Sequence, residues 1–452
     1  MFLASLLLAC VGVAGLSAAE AADPPSIPHE KYVLPNGLEV ILSEDHRVPL
    51  VSVNLWYHVG AKNEVPGRSG FAHLFEHIMF QGSRNVAEDT FFQYLEKAGA
   101  PLVNGTTDFD RTNYFETVPS NQLELALWLE SDRMGFLLDT LTEERLTNQK
   151  GVVRKERQQS TENVPYGKAE ETFFKTLFPA PHPYHGVVIG SHEDLEAATL
   201  DDVRGFFRTF YTPNNATMAI VGDFDPATVK PLVERYFGGI PAAAEPPPLK
   251  VETPAIASER RVAVQDALVE LPKVYLGWIT PRSFAPGDAE LQLAAGVLAG
   301  DKASRLHESL VMKQQIAQSA KAYQYPLELG SVFVVEVQGK AGQDPAALEK
   351  AAWTEIEALR TTAPAADELA RALRTWQATT LRGLESLGGF GGKADVLNYY
   401  NHHLGDPAYL GKDFARFEAV GPAAVQKALA EWIRADNRVV VHVTPAAKTG
   451  AK

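Results

Sequence analysis

The stretch Gly70–Gly82, GFAHLFEHIMFQG, carries the strongest structural signal in this chain. Apolar residues fill most of it, and their spacing predicts a helix that Gly82 ends. His73 and His77 are four residues apart, so both imidazoles project from one helix face, about 6 Å from each other. That separation suits two nitrogen ligands of one zinc ion.

The order of these residues is H-x-x-E-H, with Glu76 directly before the second histidine. A carboxylate there can accept a proton from a water molecule that zinc activates. The alternative is an amphipathic helix that carries these polar residues by chance, but burying them in so apolar a helix without a function would be costly. We therefore predict one zinc ion per chain, held by His73 and His77, with Glu76 as the general base.

A third ligand must come from another segment, because two histidines leave the coordination of zinc incomplete. Residues 142–159 have a helical pattern with Thr142 as the N-cap. A helical wheel places on one side Leu146, Gln149, Val152, Val153 and Glu156, and on the other Arg154, Lys155 and Arg157. Glu156 is therefore a candidate ligand. From this pattern alone, a solvated position in a run of charges is an equally good interpretation.

The length and composition indicate a soluble, two-domain protein. The chain has 452 residues, of which 45% are hydrophobic and 22% charged, and this length suits two domains of about 200 residues each. The 42 basic and 56 acidic residues give a net charge of −14. No basic stripe stands out, so we expect no nucleic-acid partner.

The first residues predict export. Residues 1–16 are apolar and uncharged, and small residues follow, which indicates a signal peptide over residues 1–22 and a periplasmic or secreted protein. Lipoprotein anchoring at Cys10 is the alternative, less favoured because residues 11–16 stay apolar. No other stretch is long and apolar enough to span a bilayer, so we expect no transmembrane span after signal removal.

The boundary between the two domains is predicted in a Pro- and Ala-rich linker, residues 242–257. It separates an N-terminal domain, residues 28–241, from a C-terminal domain, residues 258–447. Each half shows strand patterns, then helical patterns such as Ala303–Lys313, then a returning strand. We therefore predict an α+β fold used twice, with a mixed, mostly antiparallel sheet covered by helices in each domain.

Several motifs resemble those of the pitrilysin/insulinase family of zinc metallopeptidases, in its half-length branch that includes the mitochondrial processing peptidase. Besides H-x-x-E-H, the resemblance is carried by Leu34–Leu38 near the start, by Val103–Thr107 and by Val152–Glu156. It implies that Glu156 is the third zinc ligand.

The same resemblance implies a clamshell in which two such chains or halves enclose a peptide. The substrate would lie as an extra strand against a sheet edge, contacted by Asn104 and Tyr114. Tyr114 is equally well interpreted as a structural residue of its strand. Gln149 stands where many family members have a supporting glutamate, and its amide can still make hydrogen bonds around the ligands.

A second departure from the family concerns the C-terminal domain. Complete members carry an arginine and a tyrosine at positions that here hold Val311 and Gln318. Neither can clamp a carbonyl oxygen as those residues do. The resemblance therefore implies that a homologous subunit supplies the Arg/Tyr pair, so that this chain is the zinc-bearing half of a heterodimer.

The function predicted from these residues is that of a zinc-dependent endopeptidase acting on peptides or unfolded polypeptides. The alternative is a non-catalytic scaffold or peptide-binding subunit. The remaining histidines are interpreted as poor ligands. His402 and His403, for example, are adjacent and therefore cannot share one face of a helix.

Overall fold

The computed structural model describes residues 24–252 and 254–446. The predicted signal peptide, Cys10 and residue 447 lie outside these ranges. Within them, no helix is both long and apolar enough to cross a membrane.

The N-terminal half forms a six-stranded mixed sheet. Its strands are β1 (Glu30–Val33), β2 (Glu39–Glu44), β3 (Leu50–Tyr57), β4 (Leu102–Thr107), β5 (Thr112–Pro119) and β6 (Ala216–Gly222). The order across the sheet is β1-β2-β6-β3-β5-β4, with β2 and β6 parallel and all other pairs antiparallel. Strand β6 is buried along its whole length, which explains its continuous apolar run. Strand β4 is at the edge and has one side free to accept another strand.

One face of this sheet is covered by helices of the same half. The helices before the linker are α1 (Phe71–Ile78), α2 (Phe91–Lys97), α3 (Leu123–Phe136), α4 (Glu143–Arg157), α5 (Gly167–Leu177), α6 (His192–Ala197), α7 (Leu200–Phe210) and α8 (Pro226–Phe237). All of them except α5 contribute to one buried apolar cluster with the sheet. Helix α1 ends four residues before Gly82, which has a φ of +106° in the following turn.

The C-terminal half repeats this plan. Its strands are β7 (Arg260–Asp266), β8 (Lys273–Thr280), β9 (Ala317–Tyr325), β10 (Ser331–Gly339) and β11 (Val439–Pro445). Their order, β7-β11-β8-β10-β9, matches β2-β6-β3-β5-β4, and again one pair, β7 with β11, is parallel. The predicted α+β fold with two similar mixed sheets is therefore confirmed.

Within the described residues, six helices lie after the linker: α9 (Asp288–Ala299), α10 (Pro345–Thr361), α11 (Ala366–Gly383), α12 (Lys393–Leu404), α13 (Leu410–Glu418) and α14 (Pro422–Trp432). The helix predicted over Ala303–Lys313 is present from residue 305 onward, and His307–Lys313 is wound as a wider π-helix. Between α8 and β7 the described residues contain no helix or strand, as expected for a linker.

One helix from each half covers the sheet of the other half. Phe173 and Leu177 of α5 are buried in the same apolar cluster as Tyr275 on the outer face of the C-terminal sheet. In return, Leu397 of α12 is buried in one cluster with Ile41 of the N-terminal sheet. Each sheet is thus closed by a helix from the other side of the linker.

Candidate metal centre

Helix α1 begins at a close contact between two glycines. Gly70 and Gly190 have φ angles of +88° and +75°, and a Cβ on Gly70 would lie 2.8 Å from the Cα of Gly190. The carboxyl group of Glu64 caps the helix by accepting hydrogen bonds from the N–H groups of Gly70 (3.0 Å) and Ala72 (2.9 Å), and burial raises its pKa to about 8 against the effect of these hydrogen bonds. Sequence reasoning missed this cap, for which the only signal is an acidic residue shortly before the helix.

Helix α4 presents Glu156 towards α1. It begins at the predicted N-cap, since the hydroxyl of Thr142 accepts a hydrogen bond from the N–H of Arg145 at 3.3 Å. Leu146 and Val153 are completely buried, which turns this face of α4 inward. The Glu156 side chain lies at the margin of the buried face and is 40% exposed.

The predicted division of α4 into an inner and an outer side is wrong at two positions. Val152 is 41% exposed, whereas Arg157 is buried. Nη1 of Arg157 donates to the carbonyl of Gly190 at 2.7 Å, and Nη2 donates to Glu171 Oε2 at 2.7 Å. The guanidinium turns inward because a partly buried carboxylate and a backbone carbonyl bind it there.

His73, His77 and Glu156 converge. Nε2 of His73 is 3.6 Å from Glu156 Oε1, and Nε2 of His77 is 3.1 Å from Glu156 Oε2. One ligand atom from each residue lies within 4.8 Å of the other two. Ligands at about 2.0–2.2 Å from zinc are roughly 3.3 Å apart in a tetrahedron, so this donor set fits a zinc ion with little movement.

The protonation states also suit a cation. Burial lowers the pKa of His73 to about 4, and the neighbouring His77 adds to this effect. The contact with His77 is the main cause that holds the pKa of Glu156 below its usual value. At neutral pH, His73 is therefore a neutral imidazole and Glu156 a carboxylate, the forms that bind zinc. Three such ligands leave one coordination position free, as in catalytic sites.

Glu76 lies on α1 beside these residues and faces strand β4. Its Oε2 accepts a hydrogen bond from the hydroxyl of Thr107 at 2.7 Å. Gly105 permits this approach, because a Cβ there would lie 3.1 Å from Glu76 Cγ. Burial raises the pKa of Glu76, and the Thr107 hydrogen bond opposes that shift. Sequence reasoning missed Thr107, because its role depends on how β4 packs under α1.

The two predicted substrate-binding residues lie in different environments. Asn104 is exposed on the edge strand β4, and its Oδ1 accepts a hydrogen bond from the N–H of Gly105 at 2.9 Å. Tyr114 is completely buried, and its hydroxyl donates to the carbonyl of Phe75 at 3.4 Å. Tyr114 thus offers no surface to a substrate here, and its position favours the structural interpretation of this residue.

Gln149 is also buried, at 4% exposure. It precedes Glu156 by two helical turns, about 10 Å along the axis, and lines a narrow cavity with Ile78 and Arg145. Its amide makes no hydrogen bond to the three candidate ligands in the described residues. A supporting role for Gln149 therefore stays a prediction.

In the C-terminal half, Val311 is half-buried against the apolar core, and Gln318 is exposed on the edge strand β9. His402 and His403 do have a partner at ligand spacing, because Glu328 Oε1 lies 2.8 Å and 3.2 Å from their ring nitrogens. The interpretation of these histidines as poor ligands stays a prediction. A carboxylate from a distant segment can bridge two adjacent histidines that share no helix face.

The fold and the site together define an α+β protein of two similar domains with an H-x-x-E-H motif and a candidate metal centre in the first. Residues 39–177 match the family described as insulinase (peptidase family M16), and residues 197–375 match the domain described as peptidase M16 inactive domain. The chain belongs to the M16 peptidase family, which confirms the resemblance to the pitrilysin/insulinase group.

Similar proteins include bacterial proteases. The chain is 30% identical over 338 residues to the zinc protease PqqE of Helicobacter pylori, covering 74% of both chains. The crystal structure of a protease from Helicobacter pylori has a TM-score of 0.86 and 28% identity, covering 92% of this chain and 100% of that one. The periplasmic protease PqqL from Escherichia coli shares the fold, with a TM-score of 0.76 and 16% identity, covering 93% of this chain but 48% of PqqL.

The first prediction concerns the metal ligands. The double variant His73→Ala/His77→Ala should bind one zinc ion fewer per chain than the wild type, because both nitrogen ligands are removed. Glu156→Gln should weaken zinc binding at the same site. Elemental analysis and zinc titration of the purified proteins measure both effects. His185→Ala is the control, since its Nδ1 contacts the Phe178 carbonyl. Wild-type zinc content in the double variant would contradict the assignment.

Proposed function

We propose that this chain is a zinc-dependent endopeptidase that hydrolyses peptides or unfolded polypeptides. The observation that carries the proposal is the convergence of His73, His77 and Glu156, with the carboxylate of Glu76 beside them on the same helix. Zinc held by the three ligands would acidify a water molecule and polarise the scissile carbonyl group.

Other residues of the chain transfer the proton, orient the general base and bind the substrate. Glu76 accepts the proton of the attacking water and passes it to the leaving amine. Thr107 orients the Glu76 carboxylate through its hydrogen bond. The substrate adds a strand to the free edge of β4, where Asn104 is exposed and the backbone can pair with an extended peptide.

The alternative proposal is a non-catalytic scaffold or peptide-binding subunit. Its support is the description of the C-terminal match as an inactive domain. That match covers residues 197–375 and therefore excludes the H-x-x-E-H helix and Glu156. The intact donor set in the N-terminal half favours the peptidase.

Export to the periplasm or the medium is part of the proposal. It is supported by the apolar first residues and by the likeness in fold to a periplasmic protease. N-terminal sequencing of the chain recovered from its native cell tests it, because an uncleaved Met1 would contradict removal of a signal peptide.

The experiment that tests the proposed function is the substitution Glu76→Gln. An amide cannot accept the proton of water at neutral pH, so hydrolysis of an unfolded protein should fall by about 100- to 10,000-fold. Zinc content should stay unchanged, because Glu76 is not a ligand. Glu96→Gln, at an exposed position on α2, is the control. If Glu76→Gln retained wild-type activity, another base or a non-enzymatic role would have to be considered.

A finer prediction concerns Thr107. The isosteric substitution Thr107→Val removes the hydrogen bond to Glu76, and kcat should fall about 5- to 10-fold, the effect of one hydrogen bond of about 1 kcal/mol. Thr107→Ser should restore the rate, which a loss of packing alone would not allow. The matched control is Thr106→Val, because the Thr106 hydroxyl donates to Asn113 instead. Equal rates for the valine and serine variants would refute this role of Thr107.

We further propose that a homologous subunit completes the active site. Val311 has no hydrogen-bond donor and the amide of Gln318 is uncharged, so neither can clamp the carbonyl oxygen of the substrate as an arginine and a tyrosine do. Losing one such donor typically lowers the rate by about 100- to 1000-fold. A homodimer would repeat the deficiency, whereas a relative that carries the Arg/Tyr pair would remove it. The size of PqqL, of which this chain covers 48%, is consistent with a complete enzyme built from two such halves.

The corresponding prediction is low activity of the chain alone and a strong gain on mixing with a relative that has the Arg/Tyr pair but lacks H-x-x-E-H. Peptide hydrolysis by each protein and by the mixture measures the gain. A mixture made with the Glu76→Gln variant is the control and should stay inactive, which assigns the hydrolysis to this chain. If the lone chain were as fast as the mixture, the requirement for a partner would be refuted.

A further inference from the structure

A second group of metal-binding side chains lies where the two halves meet. Glu328 follows strand β9 in the turn before β10, and His402 and His403 lie near the end of α12, which covers the N-terminal sheet. Glu328 Oε1 is 2.8 Å from His402 Nε2 and 3.2 Å from His403 Nδ1. All three ligand atoms are within 4.8 Å of one another.

The two adjacent histidines reach one point because they use different ring nitrogens. His402 presents the distal Nε2 and His403 the proximal Nδ1. Their side chains therefore need not project from the same helix face, as long as Glu328 lies between them. Two histidines and one carboxylate are the same donor set as that of His73, His77 and Glu156, although the two clusters share no residue and no secondary-structure element.

The environment of His402 points to a ligand at this cluster. Its side chain is 4% exposed, and within the described part of the chain neither ring nitrogen has a hydrogen-bond partner. Nε2 nevertheless lies 2.8 Å from the Glu328 carboxylate, outside hydrogen-bonding geometry. Buried polar atoms are normally paired. A cation between Nε2 of His402 and the carboxylate oxygen of Glu328 would give each of these two atoms a partner.

The charges around the cluster are compatible with a cation. Lys62 binds the other oxygen of Glu328 and lies 3.3 Å from Asp110 Oδ1, so its positive charge is shared by two carboxylates. Burial alone would raise the pKa of Glu328, but His402, His403 and Lys62 outweigh it and hold the pKa below its usual range. Burial lowers the pKa of His402 to about 4. The carboxylate and the neutral imidazole are the forms that bind metal ions at neutral pH.

We propose that Glu328, His402 and His403 form a second divalent-metal site, best suited to zinc, that joins the β9–β10 turn to helix α12 at the junction of the two halves. Imidazole and carboxylate ligands favour zinc among the common divalent ions. Because α12 closes the N-terminal sheet and the β9–β10 turn belongs to the C-terminal sheet, a metal ion here stabilises the packing of the two halves. The chain then binds two zinc ions rather than the one expected from the sequence.

The test isolates this site by removing the first. The variant His73→Ala/His77→Ala should retain one zinc ion per chain, measured by elemental analysis after dialysis against buffered zinc. Adding His402→Ala and His403→Ala should abolish the remaining zinc. Cobalt titration of the double variant should give the visible absorption of a low-coordinate site with nitrogen and oxygen ligands. Zinc should raise the unfolding temperature of the double variant but not that of the quadruple variant.

Two further variants separate metal binding from folding defects and from unspecific binding. In the double variant, Glu328→Gln preserves the shape of the side chain but removes its charge. This protein should lose the remaining zinc while its circular dichroism stays native. His46→Ala in the double variant is the matched control, because His46 is an exposed histidine within 3.4 Å of Glu44 and 2.7 Å of Asp223, and it should retain the zinc. If the folded double variant binds no zinc and its unfolding temperature does not respond to zinc, the cluster is an ion-pair network and the proposal is overturned. Zinc that persists in the quadruple variant also overturns it.

Discussion

The buried guanidinium of Arg157 is the interaction on which the geometry of the first metal centre depends. The two histidines and Glu156 lie on different helices, and no local rule determines the distance between α1 and α4. Besides the apolar packing of the two helices, Arg157 restrains it by binding the carbonyl of Gly190, which packs against the start of α1, and the carboxylate of Glu171 on α5. Breaking such a buried ion pair is strongly destabilising. Because α5 packs on the C-terminal sheet, the third ligand is positioned by the contact between the two halves.

Local patterns in the sequence predicted the residues whose roles are local. The i, i+4 spacing of His73 and His77, the N-cap Thr142 and the repeated α+β plan could all be inferred, because helix geometry and strand patterns determine them. Glu156 could not be assigned from its helical wheel alone, since the wheel misplaced its neighbours Val152 and Arg157. Thr107 and the partnership of Glu328 with His402 and His403 depend on contacts between distant segments, which no periodic pattern encodes.

The second sheet shows how little of the chemistry resides in the fold itself. Helix α9 packs against the edge strand β9 much as α1 packs against β4, with the same strand order behind it. Its sequence, DAELQLAAGVLA, buries Leu291, Ala294 and Leu298 and contains no histidine. At this position the same architecture therefore holds apolar packing in one half and the candidate metal ligands in the other, and function has to be argued from the site.

The exchange of covering helices also sets the order in which the chain can complete its structure. The last strand of the N-terminal sheet ends at Gly222, but the helix that covers its outer face begins at Lys393, 171 residues later (393 − 222). Until that segment is available, Ile41 and Ala219 face solvent on a finished sheet. Contacts between such distant segments form slowly, and exposed apolar sheet surface favours aggregation. This surface is therefore the last part of the N-terminal half to be covered, well after α1 and α4 have been synthesised.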